Sequence, residues 1–223
     1  MNKKILVVAA HPDDEMLGMG GTILKHVKNK DAVSILFLGD GITSRDINAD
    51  IEPRKRQAKK AAELLGVKDI SLEQFPDNGF DSVPLLDIIK KIESVIARIK
   101  PDIIYTHHMG DLNIDHRLTT QAVLTACRPQ PGFCVKKILS FEVLSSTEWQ
   151  IKDSSYCFYP TEYTDIFEFI EKKVEILQKA YGDELRQFPH PRSVQGVRIL
   201  AQYRGIEVGY KSAEAFQIIR FLS

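Results

Sequence analysis

Residues 5–15 read ILVVAAHPDDE, six apolar residues followed directly by a histidine, a proline and three acidic residues. Similar apolar runs, rich in β-branched residues, occur at Val33–Leu38 and Ile103–Thr106. Short runs of this kind, bounded by charge or glycine, are typical of buried parallel strands. Ile70–Leu72 and Ile138–Val143 are further candidates. The sequence therefore predicts a mostly parallel sheet that includes the opening run.

Helical patterns lie between these predicted strands. Thr22–Lys28 follows a glycine-rich entry, and Leu85–Lys100 carries apolar residues at helical spacing. Pro53–Leu65 begins with a proline and is followed by Gly66, a typical start and end of a helix. The alternation of strands and helices predicts the α/β class, as a single-domain, Rossmann-like three-layer sandwich over residues 1–223.

The second half of the chain is less regular. Residues 127–160 contain several prolines and all three cysteines, which indicates loops with short strands that could be antiparallel. The apolar residues from Phe167 to Leu177 fall on one face of a helix, and Ser193–Gln202 fits another. We find no internal repeat or linker in the sequence, so we expect one domain.

Charge and composition argue against several classes of protein. The 223 residues hold 30 basic and 30 acidic side chains, so the formal net charge is 0. A neutral chain is not expected to bind a nucleic acid or an anionic membrane through bulk charge. No stretch reaches the roughly 18 apolar residues of a membrane span. The first apolar run is also too short for a signal peptide.

The cysteines indicate the redox setting. Cys127, Cys134 and Cys157 form an odd set without a closely spaced pair. We therefore expect buried thiols rather than a disulfide framework. Together with the missing signal peptide, this predicts a cytoplasmic protein.

Two polar clusters follow predicted strands. Residues 11–15 follow the first strand, and residues 106–117, THHMGDLNIDHR, overlap the end of the strand at Ile103–Thr106. The carboxyl ends of parallel strands meet at one edge of a sheet, where ligands bind. Two histidines and one carboxylate, with a position left to water, form a catalytic zinc set that also suits iron. Because Asp13 and Asp14 point in different directions as neighbours, one can bind a metal while the other acts as a base.

These motifs carry a resemblance to a known family. HPDDE at 11–15, together with DLNIDHR at 111–117, resembles the PIG-L/LmbE family of zinc-dependent N-deacetylases. The resemblance extends over most of the chain and implies an LmbE-like fold. It includes the helix around Arg54 that ends in LLGV at 64–67, PHPRS at 189–193 and AEAF at 213–216.

The resemblance implies a role for several residues. Three residues are implied as the zinc ligands, namely His11, Asp14 and His116. Asp13 is implied as the general base. Glu15 and Asp115 are implied to lie behind the ligands, where Asp115 can orient a neighbouring imidazole.

The sequence departs from a common form of the family at Asn113, where that form has a histidine. An amide can donate a hydrogen bond to an oxyanion, but it cannot transfer a proton near neutral pH. We therefore assign oxyanion stabilisation to Asn113. Either Asp13 acts first as base and then as acid, or another group is the acid, for which His190 is our candidate.

Four residues are predicted to contact the substrate, namely Arg54, Asp40, His108 and Arg192. Arg54 could reach a hydroxyl or phosphate group from its helix. Asp40 follows the second strand at the expected rim of the pocket. Arg192 lies beside His190 in the proline-rich motif.

The resemblance implies hydrolysis of the acetamide of an N-acetylated amino sugar of the N-acetylglucosamine type, or of its conjugate, with release of acetate. Zn²⁺ is the expected cofactor, and Fe²⁺ or another divalent ion could replace it. The expected partner is this small molecule, and the aromatic-bearing second half could form an interface between identical copies.

Two other functional classes stay open. The first is a metal-dependent hydrolase of another amide or of a phosphoester, and phosphoester hydrolysis would favour two metal ions about 3.5–4 Å apart. The second is a non-catalytic sugar- or nucleotide-binding module, although such a module has no use for a free base.

Overall fold

A central mixed sheet organises the protein. The computed structural model describes residues 2–44, 46, 48–133 and 135–223, and within these residues the sheet has seven strands. The strands are β1 (Lys4–Ala9), β2 (Ala32–Gly39), β3 (Asp69–Phe75), β4 (Ile103–His107), β5 (Lys137–Phe141), β6 (Glu162–Asp165) and β7 (Ala213–Phe221). Their order is β3-β2-β1-β4-β5-β7-β6. The first five strands are parallel, whereas β7 pairs antiparallel with both β5 and β6.

Helices cover both faces of this sheet. In the described residues they are α1 (Asp14–Lys28), α2 (Glu52–Leu65), α3 (Leu85–Ile99), α4 (Ile114–Ala126), α5 (Ile170–Tyr181) and α6 (Val194–Ile206). The odd-numbered residues of β1, from Ile5 to Ala9, pack in the core under α1, α2, α5 and α6. Leu6 and Val8 of β1, with Ala10 directly after the strand, pack in the core under α3 and α4. The predicted three-layer α/β sandwich is therefore confirmed.

The antiparallel part of the sheet differs from the prediction. Within residues 127–160, the described part forms one strand, β5, and that strand is parallel to β4. β5 ends at Phe141 rather than Val143, because the N–H of Val143 donates to the Thr147 hydroxyl at 2.8 Å. The antiparallel pairs are formed by β6 and β7, which lie later in the chain.

The first helix also begins earlier than predicted, at Asp14 rather than Thr22. Its glycines allow close packing, because a Cβ atom on Gly18 would lie 2.4 Å from the Phe141 ring. The helix is kinked at Met19, where φ is −152°. Glycine-rich sequence therefore marks a tightly packed helix here rather than a loop.

A buried carboxylate holds the kink in α1. Glu214 of β7 accepts hydrogen bonds from the N–H groups of Gly21 (2.9 Å) and Thr22 (2.6 Å). The Lys173 ammonium donates to Glu214 Oε1 at 2.7 Å and to the Leu17 carbonyl at 2.8 Å. Lys173 and Glu214 are both buried. This ion pair therefore joins α1, α5 and β7.

We expect Glu214→Gln to lower the free energy of unfolding by about 3–5 kcal/mol, because it leaves the buried Lys173 ammonium without its charged partner. Urea denaturation followed by circular dichroism measures this loss. Glu168→Gln is the matched control, since Glu168 pairs with Lys28 at the surface and should cost less than about 1 kcal/mol. Equal losses in the two variants would contradict the assigned role of the buried pair.

Two further elements refine the predictions. Phe167 is 51% exposed and precedes α5, so its expected place on the buried helix face is wrong. The Asp165 carboxylate accepts the N–H of Phe167 at 2.9 Å and turns the chain before the helix begins. α6 begins after Ser193 as expected, but it continues to Ile206.

The cysteines agree in part with the expected buried thiols. Cys127 is buried and Cys157 is half-buried. Cys134 lies outside the described residues. Within the part of the chain that the structure describes, no helix is both long and apolar enough to cross a bilayer.

Candidate active site

The predicted metal ligands meet at the carboxyl ends of β1 and β4. His11 follows β1, Asp14 is the first residue of α1, and His116 lies in the first turn of α4. One donor atom from each of these three buried residues lies within 4.8 Å of the others. The sheet edge and two helix starts therefore bring together residues that are far apart in the sequence.

Asp14 lies between the two histidines. Its Oδ2 atom is 3.4 Å from His11 Nδ1 and 3.4 Å from His116 Nε2. The Oδ1 atom of Asp14 is buried and has no hydrogen-bond partner among the described residues. A buried carboxylate that has one oxygen close to two imidazoles and its other oxygen unpartnered is chemically suited to a divalent cation. The residues present therefore fit a metal ion.

Each of the two histidines has a carboxylate on its other ring nitrogen. Asp115 Oδ2 is 2.9 Å from His11 Nε2, and Asp111 Oδ1 is 3.2 Å from His116 Nδ1. Carboxylates in such positions fix the tautomer and ring orientation of ligating histidines. Asp115 is therefore close enough to His11 to orient its ring, and Asp111, for which no role was predicted, has the same position at His116.

Asp111 is itself held by a loop that follows β5. It accepts hydrogen bonds from the hydroxyl groups of Ser146 and Thr147, the latter at 2.5 Å. Asp111 is fully buried. Its position within the DLNIDHR motif is the one sequence signal that could have indicated this role.

The carboxylates create a strongly negative environment. Burial by itself lowers the pKa of an imidazole, but Asp115 and Asp14 raise the pKa of His11 to about 10. Asp14 and Asp111 similarly overcome burial and raise the pKa of His116 to about 9. Burial raises the pKa of Asp14, but the histidine charges, that of His116 first, hold it well below its usual value. This group of residues therefore stabilises positive charge.

Asp13 points away from this group and towards two arginines. Its Oδ2 atom is 3.2 Å from Arg192 Nη1 and 3.4 Å from Arg54 Nη2. Burial raises the pKa of Asp13, while the charges of Arg192 and Arg54 lower it. Asp13 also has a left-handed backbone, with φ of 112°, which is uncommon for a residue other than glycine. The two neighbouring aspartates thus lie in different surroundings.

Glu184 completes the charge network around the candidate base. Its Oε1 atom is 3.3 Å from Arg54 Nη1, and its Oε2 atom is 3.8 Å from Arg192 Nη1. Arg54, predicted to contact substrate, is 4% exposed and lies over the Tyr181 ring. In the structure Arg54 pairs with two carboxylates, whereas Arg192 is more exposed, and contact of either arginine with a substrate stays a prediction. No local motif in the sequence indicates Glu184.

Glu15 supports the backbone of the candidate base. Its Oε2 atom accepts the N–H of Asp13 at 3.0 Å, and its Oε1 atom accepts the Tyr181 hydroxyl at 2.9 Å. Burial, together with the charge of Asp13, raises the pKa of Glu15 to about 8. Glu15 therefore lies behind the candidate base, and its implied role behind the metal ligands stays a prediction.

Asn113 and Asp40 have local structural contacts. Asn113 caps α4, because its Oδ1 atom accepts the N–H of Asp115 at 2.8 Å, while its Nδ2 atom donates to Asn78 at 3.0 Å. Asp40 Oδ1 accepts the N–H groups of Ile42 and Thr43, both at 2.9 Å. The roles predicted for Asn113 and Asp40 towards a substrate stay predictions.

The adjacent histidines of the second cluster lie in different places. His107 is fully buried, stacks on His116 with ring centroids 3.9 Å apart, and accepts the N–H of Ala10 at 2.8 Å. His108 is 2.9 Å from the Tyr156 carbonyl, beneath the loop that follows β5. His107 therefore helps to fix the His116 ring, and substrate contact by His108 stays a prediction.

Two more residues border the site. His190, the candidate general acid, accepts the N–H of Arg192 through Nδ1 at 3.1 Å and packs edge-to-face against Trp149. Asp77, which the sequence analysis did not select, lies 3.1 Å from His11 Nε2. With His11 and Asp115, Asp77 forms a second group of potential metal ligands. The two groups share His11.

Comparison with known families identifies the chain. A family model described as PIG-L, GlcNAc-PI de-N-acetylase, matches residues 6–127, which is more than half of the chain. The protein therefore belongs to the PIG-L family. The resemblance found in the sequence, and the deacetylase class that it implied, are confirmed.

Individual relatives agree with this assignment. A diacetylchitobiose deacetylase from Thermococcus kodakarensis is 27% identical over 237 residues, covering 97% of this chain and 83% of the relative. The structure of an N,N'-diacetylchitobiose deacetylase from Pyrococcus horikoshii matches with a TM-score of 0.77 and 21% identity, over 98% of this chain and 84% of that one.

The same fold also occurs with another activity. A 4-carboxy-2-hydroxymuconate hydratase from Pseudomonas putida KT2440 matches with a TM-score of 0.74 and 23% identity, over 99% of this chain and 98% of that one. The fold alone therefore does not define the reaction, which has to be argued from the residues of the site.

Proposed function

We propose that this protein is a metal-dependent N-deacetylase that hydrolyses the acetamide of an N-acetylated amino sugar, or of a conjugate, and releases acetate. The observation that carries the proposal is the arrangement of Asp14 and Asp13. Asp14 lies between His11 and His116, whereas its neighbour Asp13 lies between two arginines. A ligand set and a separate base are thus placed side by side.

We assign the metal to His11, Asp14 and His116, with zinc as the first candidate. When bound, a divalent ion at this group supplies Lewis acidity, which polarises a carbonyl and lowers the pKa of water. Asp115 and Asp111 orient the two imidazoles for this task. Sugar deacetylation is supported by the activities named for the relatives, which act on N-acetylated sugars.

Asp13 is the proposed general base. Its carboxylate takes a proton from the attacking water, and water oxygen adds to the acetyl carbonyl carbon. Arg54 and Arg192 hold the carboxylate in place, and Glu15 holds the backbone N–H of Asp13. The proton then passes to the sugar nitrogen as the carbon–nitrogen bond breaks, giving acetate and the free amine.

We assign the return of this proton to Asp13 rather than Asn113. The amide of Asn113 caps α4 through its oxygen and donates to Asn78, and an amide does not transfer protons near neutral pH. His190 is the alternative proton donor, since it contacts Arg192, which in turn contacts Asp13.

A direct test is acetate release from N-acetylglucosamine and N,N'-diacetylchitobiose by protein loaded with Zn²⁺ or Fe²⁺. We expect acetate and free amine in equal amounts. Metal-loaded protein that releases no acetate from any N-acetylated sugar would refute the proposal.

Metal counting separates the deacetylase from a phosphoester hydrolase. We expect one ion per chain by elemental analysis, because the two candidate ligand groups share His11. The Nε2 atom of His11 already contacts Asp77, so the second group has no free imidazole nitrogen for another ion. Two ions per chain, with release of phosphate from phosphoester substrates, would favour the alternative reaction.

A further inference from the structure

An apolar cavity lies beside the candidate active site. It measures about 320 Å³ and lies between α6, the start of the loop after β5, and the proline-rich segment before α6. Its apolar lining includes Val143, Leu144, Phe188, Pro191, Ile199 and Tyr203. Cavities of this size are typical of small-molecule sites.

One side chain connects this cavity with the candidate base. Leu144 and Pro191 line the cavity. Arg192 directly follows Pro191 in the chain, and its guanidinium contacts Leu144. Arg192 Nε donates to the Leu144 carbonyl at 3.4 Å, while Arg192 Nη1 is 3.2 Å from Asp13 Oδ2. The cavity wall and the candidate base therefore contact the same guanidinium, which places the cavity within one side chain of the candidate base.

The charged residues of the wall do not offer free groups to a ligand. Both carboxylate oxygens of Glu142 accept from Arg204, at 2.6 and 2.7 Å. The carboxylate of Glu148 accepts the N–H groups of Ser145 at 2.6 Å and Ser146 at 3.3 Å. A sugar ring, which needs hydrogen bonds when it is buried, would find few partners here. An alkyl or aryl group would lose no hydrogen bonds and would bury apolar surface.

We propose that this cavity binds an apolar alkyl or aryl substituent attached to the N-acetylated sugar. This inference rests on the proposed function, and it narrows the substrate class to sugars with an apolar aglycone. Arg192 lies between the two parts of the ligand, with the acetamide towards Asp13 and the apolar group towards Leu144.

Binding can be measured without catalysis through Trp149. It is the single tryptophan of the chain, and it packs edge-to-face on His190 with ring centroids 5.5 Å apart. Its fluorescence is titrated with methyl and octyl glycosides of N-acetylglucosamine, each below the concentration at which micelles form. Burying a methylene group favours binding about fourfold, so we expect the octyl glycoside to bind at least about tenfold more tightly.

Two isoleucines of α6 provide matched variants. Ile199 lines the cavity, whereas Ile206 is 73% exposed at the end of the helix. In Ile199→Asn, the ratio of the methyl to the octyl Kd should fall to less than about threefold. In Ile206→Asn, it should stay at the value of the unaltered protein.

The possible failures are distinguishable. Equal Kd values for the methyl and octyl glycosides would overturn the inference, while acetate release from both would leave the proposed function intact. No acetate from either glycoside, with metal bound, would refute the proposed function. A change of oligomeric state in Ile199→Asn, without a change in the Kd ratio, would overturn the inference in favour of contact between copies.

Discussion

Asp13→Asn is expected to lower kcat for acetate release by about 10²–10⁴-fold, the usual contribution of a general base. The asparagine keeps the size of the side chain, but it cannot take the proton of the attacking water. Because Asp13 points towards Arg54 and Arg192 rather than the histidines, the variant should retain its metal. Acetate assays and elemental analysis of the same preparation measure both properties.

Asp87→Asn is a suitable control, since Asp87 is exposed in the first turn of α3 and is not one of the residues of the candidate site. Its kcat should equal that of the unaltered protein. If Asp13→Asn keeps its metal and most of its activity, Asp13 is not the base. If it loses the metal, Asp13 is a ligand and the assignment of the two aspartates is wrong.

His116→Ala is expected to weaken metal binding by more than about 100-fold, and activity should be lost with the metal. The substitution removes a proposed ligand, whereas the loss of a residue that orients a ligand usually costs about 10–100-fold. Asp111→Asn should fall in that lower range, because Asp111 contacts His116 Nδ1 rather than the proposed metal position. Competition with a metal-binding dye measures both affinities.

His26→Ala controls for the loss of a half-buried histidine outside the candidate site. His26 lies in α1 and contacts Asp31 and Tyr105 towards the other edge of the sheet. This variant should bind metal as tightly as the unaltered protein. Equal affinities in His116→Ala and His26→Ala would exclude His116 as a ligand.

The parallel half of the fold could be predicted because its signals are local. β1 and β2 are short apolar runs, and α2 has both an N-terminal proline and a helix-ending Gly66. The start of α1 could not be predicted in this way. Its glycines are helical because Phe141 and Ile166, distant in the sequence, pack closely against them.

The same distinction applies to the site. His11, Asp14 and His116 lie in compact motifs, and the parallel sheet brings those motifs together. Glu184 has no motif, and only the folded chain places it beside Arg54. For Asn113 the motif gave a signal that the contacts do not repeat. Its place in the motif predicted oxyanion stabilisation, whereas in the structure its side chain caps α4.

The charge network around Asp13 has a consequence for how this protein could diversify. The family match ends at residue 127 and contains the proposed ligands, but Arg192, Glu184 and the cavity lie beyond it. The proposed metal ligands and base therefore lie in one stretch of the chain, and the proposed site for an apolar substituent lies in another. Substitutions in the later stretch could change which substrate is bound while the proposed metal ligands stay unaltered. Such substitutions would have to keep Arg192, because it contacts both Asp13 and the wall of the cavity.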